Sequence, residues 1–363
     1  MTECSMRYNY LGNSGLKVSN ICLGTLTFGE SERGRPGQAN EELSHQLMDR
    51  FVEKGGNYID TANNYQLGLS EKIVGSWLKK RQNRESLVIA TKARMAMNFD
   101  DPNGIGLSRK HILWTVEESL KRLQTDYIDL YQMHIWDAAT PIEESLRTMD
   151  DLVRSGKVRY VGVSNFTGWQ LQKTADVCKY MGLQKVVSLQ AQYSLLVRGL
   201  EYELVDVCKN EGIGILPWSP LKGGWLTGKA RHGVPPPRGS RMSFVEADRR
   251  REYESHPSYS CFADDPQVND ILDKVDRIAK EQGKTMAQVS LRWLLQKDTV
   301  PSVVIGAKTL QQLNENMGAS SGWELNDSQS HAGCTPTGRP VEERVTANCN
   351  SPSRDFTRNM YVD

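Results

Sequence analysis

Four residues of this chain could together deliver a proton to a carbonyl oxygen: Asp60, Tyr65, Lys92 and His134. A phenol in water has a pKa of about 10, too high for easy proton exchange near neutrality. A neighbouring ammonium favours the phenolate and lowers that pKa, and a carboxylate can hold the ammonium in place. The order Asp60 to Lys92 to Tyr65 is such a relay, with His134 able to hydrogen-bond a substrate oxygen. A phenol tuned this way suits protonation of an alkoxide as a hydride reaches the carbonyl carbon. Taken singly, each residue has an ordinary reading: Lys92 as a surface strand end, Asp60 as a helix cap, His134 as a satisfied core imidazole. The chemistry exists only if the fold brings all four together.

The elements that must do so alternate along the chain. Eight short apolar runs read as strands: "ICLGTLTF", "NYIDTA", "LVIATK", "YIDLYQMH", "VRYVGVSN", "VSLQAQY", "GILPWSP" and "SVVIGA". Between and after them lie eight segments of helical period, from "NEELSHQLMDRFVEKG" to "TLQQLNENMGA". Ser108 and Thr167 suit helix starts, Pro141 a first turn, and Gly55, Gly156 and Gly182 the residue past a helix end. Eight strands alternating with eight helices predict an α/β fold, a closed (β/α)8 TIM barrel, over residues 1–326. "YNYLGNSGLKV" precedes it as a β-hairpin turning at Asn-Ser-Gly.

Chemistry in such a barrel gathers where strands end. The second strand ends at Asp60, the third at Lys92, the fourth at His134 and the fifth at Ser164-Asn165. The sixth ends near Gln190 and Tyr193, the seventh at Trp218-Ser219-Pro220 and the eighth at Gly306. Asp, Tyr, Lys and His therefore converge on one rim.

The chain resembles the aldo-keto reductases from about Met6 to Trp323. "NYIDTANNYQLGLSEKIVG" is similar to that family's Asp-Thr-Ala-x-x-Tyr signature with its following Ser-Glu and Gly. "KVRYVGVSNF", "LQAQYSLL", "LPWSPL" and "IGAKTLQQLNENMGA" look like its later blocks, in order. The resemblance implies Asp60, Tyr65, Lys92 and His134 as a catalytic tetrad with Tyr65 as proton donor. It also implies NADPH (NADP+ after transfer) as cofactor, its carboxamide held by Ser164, Asn165 and Gln190 and its nicotinamide stacked on Tyr193. Ser219 and Leu221 would meet the pyrophosphate region, with Trp218 and Pro220 beside them and Thr25 also on the cofactor side of the rim.

The final block has a reading of its own. At Gly306 the backbone can approach a phosphate, and the following helix offers its N-terminus to an anion. Lys308, and Arg241 in the long insertion after strand seven, could pair with a 2′-phosphate. Gln312, Glu315 and Asn316 share a helix face toward adenine. "GGWLTGKA" has Ala230 where a phosphate loop needs Ser or Thr, so it reads as a loop with Lys229 as a phosphate contact. Thr25, Phe28, Met95, Trp136 and Trp225 suggest a partly apolar, aromatic pocket.

Other readings follow from totals. A formal charge of +1 over 363 residues gives no reason to expect nucleic acid or a membrane surface as partner. Seven scattered cysteines without CxxC spacing read as reduced thiols of a cytoplasmic protein, with no metal site. Two functional classes fit the family resemblance. One is an NADPH-dependent reductase of small-molecule aldehydes or ketones. The other is a regulatory subunit like the potassium-channel beta subunits, which would add a protein partner. The complete tetrad and the absence of a long N-terminal gating segment favour the enzyme. Residues 327–363 lose the apolar period of a helix after "GWEL", which predicts a disordered tail whose removal after Leu325 changes nothing.

Overall fold

The computed structural model describes residues 6–30, 38–98, 100–231, 233–234, 236, 238, 240, 242–243, 262–263 and 265–330. Two short antiparallel strands, β1 (Tyr8–Tyr10) and β2 (Lys17–Ser19), form the expected hairpin. Eight parallel strands follow: β3 (Ile21–Gly24), β4 (Tyr58–Asp60), β5 (Val88–Ala93), β6 (Ile128–Met133), β7 (Val158–Ser164), β8 (Val186–Gln192), β9 (Gly214–Trp218) and β10 (Val303–Ile305). Their order is β10-β3-β4-β5-β6-β7-β8-β9, and β9 lies beside β10, so the sheet curls into a barrel. All eight expected strands are present and the architecture is the (β/α)8 barrel.

The helices are α1 (Glu41–Glu53), α2 (Leu69–Arg81), α3 (Arg109–Leu123), α4 (Ile142–Arg154), α5 (Gly168–Met181), α6 (Leu204–Glu211), α7 (Pro266–Gln282), α8 (Met286–Leu295), α9 (Leu310–Met317) and a four-residue α10 (Asp327–Ser330). Ser108 caps α3 by accepting from the His111 amide, Thr167 opens α5 with a capping box, and Gly182 closes it at a positive φ. Helix α8 was not expected from the sequence.

Apolar residues divide by strand parity into two cores. Leu11, Cys22, Tyr58, Val88, Leu130 and Leu216 belong to a small cluster inside the barrel, which the hairpin residues Leu11 and Val18 join. Ile21, Ile59, Ile89, Tyr131 and Leu189 face outward into the larger core beneath the helices. At the opposite end the interior turns polar, with Asp60, Lys92, Gln132 and Gln190 all buried. No helix among the described residues is long and apolar enough to cross a membrane.

The tail expectation needs correction at its start. Residues 327–330 are helical and anchored: Trp293 Nε1 donates to the Ser330 carbonyl at 2.9 Å, and Gln282 Nε2 to Gln329 Oε1 at 3.0 Å. The rest of that expectation, residues 331–363, lies outside the described residues.

Candidate active site

The peptide after β4 carries the centre. Asp60 is the last residue of that strand and is 1 % exposed. The chain then turns tightly, with the Tyr65 amide donating to the Ala62 carbonyl at 3.2 Å, and Tyr65 opens a single 3-10 turn. Asn63 fixes this loop: it is fully buried and its Nδ2 donates to the Met95 carbonyl at 3.1 Å, beyond the end of β5. Ser70 and Glu71 then explain the two polar residues that follow the tyrosine. Ser70 Oγ lies 2.7 Å from Thr25 Oγ1 and 3.1 Å from Thr61 Oγ1, joining the ends of β3 and β4 to the start of α2. Glu71, fully buried, accepts from Thr91 Oγ1 at 2.6 Å and Arg122 Nε at 2.7 Å, which ties α2 to β5 and α3. Gly75 permits that helix contact, because a Cβ there would sit 2.2 Å from the Arg122 carbonyl oxygen.

Lys92 is wholly buried and its ammonium has three hydrogens to place. They meet Asp60 Oδ2 at 2.6 Å, the Thr61 carbonyl at 2.8 Å and Tyr65 Oη at 3.2 Å. Burial alone would push this amine's pKa down; the Asp60 carboxylate and then Tyr65 outweigh it, so the net direction is up and the ammonium persists. At the contact with Tyr65 the phenol oxygen accepts, the arrangement a proton donor needs. Asp60 Oδ1 accepts from Gln190 Nε2 at 2.9 Å and Gln132 Nε2 at 3.1 Å, so both carboxylate oxygens are engaged.

His134 follows β6, with its ring centroid 6.1 Å from that of Tyr65 and the planes at 76°. Burial, then the positive charges of Lys92 and Arg94, hold its pKa well below the usual imidazole value, so the ring is neutral at pH 7. Its Nδ1 is buried without a hydrogen-bond partner among the described residues. A buried orphan acceptor is tolerated better than an orphan N–H, which places the proton on Nε2. The four residues of the expected tetrad thus come together.

The residues expected around a cofactor divide. Ser164 and Gln190 are register partners at the ends of β7 and β8. Asn165 follows in the left-handed region at φ 55° and is used in bracing: its Nδ2 donates to the His134 carbonyl at 3.1 Å and to Ser164 Oγ at 2.9 Å. Its Oδ1 accepts from Trp218 Nε1 at 3.0 Å. This fixes the half-buried Trp218 ring at the rim, beside the half-buried Ser219 and Leu221 and the buried Pro220.

Tyr193, expected against the nicotinamide, is packed into the core in this structure. It is 2 % exposed, its hydroxyl donates to Glu201, and its ring packs edge-on against Trp293 of α8 at 5.5 Å. Leu189 and Ala191 of β8, and Tyr193 just past its end, all join the outer core, away from the inward-facing Gln190, whereas the half-buried Trp218 presents an aromatic ring at the rim. Thr25 is likewise fully buried, its hydroxyl used on Ser70 and the Asp60 carbonyl. Phe28, Met95 and Trp225 are packing residues; Trp136 alone of that apolar set is partly exposed, against Phe166 and Trp169.

Beyond β10, Gly306 is exposed and Lys308 half-buried. Gln312 Oε1 accepts from the Lys308 amide at 2.9 Å and Asn316 Nδ2 reaches the Gly306 carbonyl at 3.4 Å, so these side chains shape the loop itself. Glu315 is half-buried on the same helix, and Lys229 is exposed. Arg241 lies outside the described residues.

A barrel whose strand ends gather a buried Lys–Asp pair onto a tyrosine, with a neutral histidine alongside, has its counterpart in sequence. Residues 20–332 match the aldo/keto reductase family. The chain belongs to that family. Among its relatives it is 38% identical to an uncharacterized oxidoreductase of Bacillus subtilis, over 86% of this chain and 91% of the relative. It is 33% identical to norsolorinic acid reductase B of Dothistroma septosporum, over 88% of this chain and 78% of that one. It is 35% identical to a versiconal hemiacetal acetate reductase of Aspergillus parasiticus, over 85% and 91%. The protein is therefore an oxidoreductase of the aldo/keto reductase type, and carbonyl reduction is the activity its family and relatives support.

Proposed function

We propose that the protein reduces an aldehyde or ketone to the alcohol with NADPH, and that Tyr65 is the proton donor. The observation that carries this reading is the Lys92 ammonium, buried and held by Asp60, with one hydrogen on the phenol oxygen of Tyr65 at 3.2 Å. The rim suits a nicotinamide cofactor through its donor set. A carboxamide needs both a donor and an acceptor, which Ser164 Oγ and the Gln190 amide offer together. Trp218, rather than Tyr193, would supply the flat apolar face, and Ser219, Leu221 and Lys229 the approach to the pyrophosphate. Lys308, near the α9 N-terminus, would take the 2′-phosphate. When bound, the cofactor would supply the hydride that makes the new C–H bond.

The chain's own residues supply the rest. His134 Nε2–H donates to the carbonyl oxygen and sets its orientation. Tyr65 transfers its phenolic hydrogen to the oxygen as negative charge develops there. The phenolate left behind is stabilised by Lys92 and regains a proton from solvent. Asp60 keeps Lys92 charged and in place.

Purified protein mixed with NADPH and a panel of aldehydes, ketones and sugars should consume the reduced cofactor with at least one of them, read as loss of its absorbance. Tight NADPH binding without turnover on any carbonyl would contradict the reading.

A further inference from the structure

Asp60 can support Lys92 only while its Oδ2 faces the ammonium, and a carboxylate on a short side chain can rotate. We propose that Gln132 is a positioning residue that locks this rotation by donating to Asp60 Oδ1. Gln132 is fully buried on β6, two residues before His134, and its Nε2 reaches Oδ1 at 3.1 Å. It is the register partner of Lys92 on β5 and of Gly162 on β7, so Lys92 and Gln132 stand side by side and address the two oxygens of one carboxylate. Gly162 makes the room. A Cβ there would lie 2.5 Å from Ser188 Oγ and 3.1 Å from Gln132 Cγ. The amide is a costly choice for a barrel interior, because its Oε1 has no hydrogen-bond partner among the described residues. A leucine would fill the space without that cost, so the donor end accounts for the residue. Gln190 shares Oδ1 at 2.9 Å but also faces the carboxamide position assigned above, which leaves Gln132 as the holder whose one task is Asp60.

The titratable and charged groups around Lys92 are Asp60 from β4, Tyr65 from the following turn, Cys22 from β3, His134 after β6 and Arg94 on its own segment. Asp60 is the strongest of those that keep Lys92 protonated. A rotated Asp60 therefore lets Lys92 lose its proton at lower pH. The inference rests on the reductase reading for its effect on turnover, though its geometry does not.

The test is Gln132→Met, which keeps the bulk and removes the donor. The ε-methylene resonance of Lys92 in labelled protein, assigned by its loss in Lys92→Met, should titrate about one pH unit lower than in the unmutated chain, the scale of one hydrogen bond. In turnover, kcat should fall about tenfold with the carbonyl KM and NADPH affinity within twofold, a split that general loosening of the barrel would not give. Gln132→Leu, which also removes the donor and leaves an apolar side chain, should move both readouts the same way and carries the test if Gln132→Met does not fold. An unshifted Lys92 titration in either folded variant overturns the proposal. An unmutated protein that reduces no carbonyl, together with a shifted titration, overturns the reductase reading and upholds the positioning role.

Discussion

Acid should weaken this fold through His134, by an amount that can be worked out. The imidazole is buried at 8 % exposure, and burial, then the positive charges of Lys92 and Arg94, depress its folded pKa well below the unfolded value of about 6.5. As pH falls through 6.5 the unfolded chain binds a proton that the folded chain refuses. Stability therefore falls with pH, and the loss stops only once the folded pKa is reached. Between pH 7 and 5.5 the unfolded state gains up to about 1.2 kcal/mol from this one residue. Carboxylates and His111, whose pKa burial also lowers, add terms of their own, but these cancel when two variants are compared. Urea unfolding of the unmutated protein and of His134→Asn at both pH values isolates the term. The unmutated chain should lose up to about 1.2 kcal/mol more than the variant across that interval. Identical losses would mean that His134 accepts a proton in the folded state, and the neutral Nε2 donor would have to be abandoned.

Arg122→Leu should lower Tm by roughly 6–15 °C, because it strands the fully buried Glu71 carboxylate at a cost of about 3–5 kcal/mol; an unchanged melting curve would show that α2 does not need the pair. Fluorescence titration should find NADPH bound more tightly than NADH, with Lys308→Met narrowing the gap by about 1.5–3 kcal/mol. Equal affinities in the unmutated protein would refute the 2′-phosphate assignment. A chain ending at Leu325 should be about 1–3 kcal/mol less stable than one ending at Ser330, since the shorter chain strips the Trp293 indole N–H of its acceptor. Matching denaturation midpoints would show that α10 is ornamental.

The strands were legible because their apolar runs are short, bounded by glycines and polar turns, and separated by helices of clear period. Helix α8 was hidden because all of Met286–Leu295 but Gln288 and Leu295 is buried, so it shows no polar face. Its capping box, Thr285 with Gln288, was the available signal. The tetrad was legible from the ends of three strands and the turn that follows the first of them. Gln132 was not, since a lone glutamine in "YIDLYQMH" shows no partner until Asp60 is brought across the barrel. Tyr193 entered the cofactor set through the family resemblance, and its packing on Glu201 and Trp293 appears only once the helices are in place. The insertion's Arg241 falls outside what the structure describes.

The central claim is that the phenol of Tyr65, charged against Lys92, gives its proton to the substrate oxygen. Tyr65→Phe deletes that one oxygen and leaves the Lys92–Asp60 contact at 2.6 Å in place. The rate of carbonyl reduction at saturating NADPH should fall about 10²–10⁴-fold, the usual loss of a general acid, with cofactor affinity unchanged. Turnover close to that of the unmutated protein would contradict the claim and return the proton to His134 or to water.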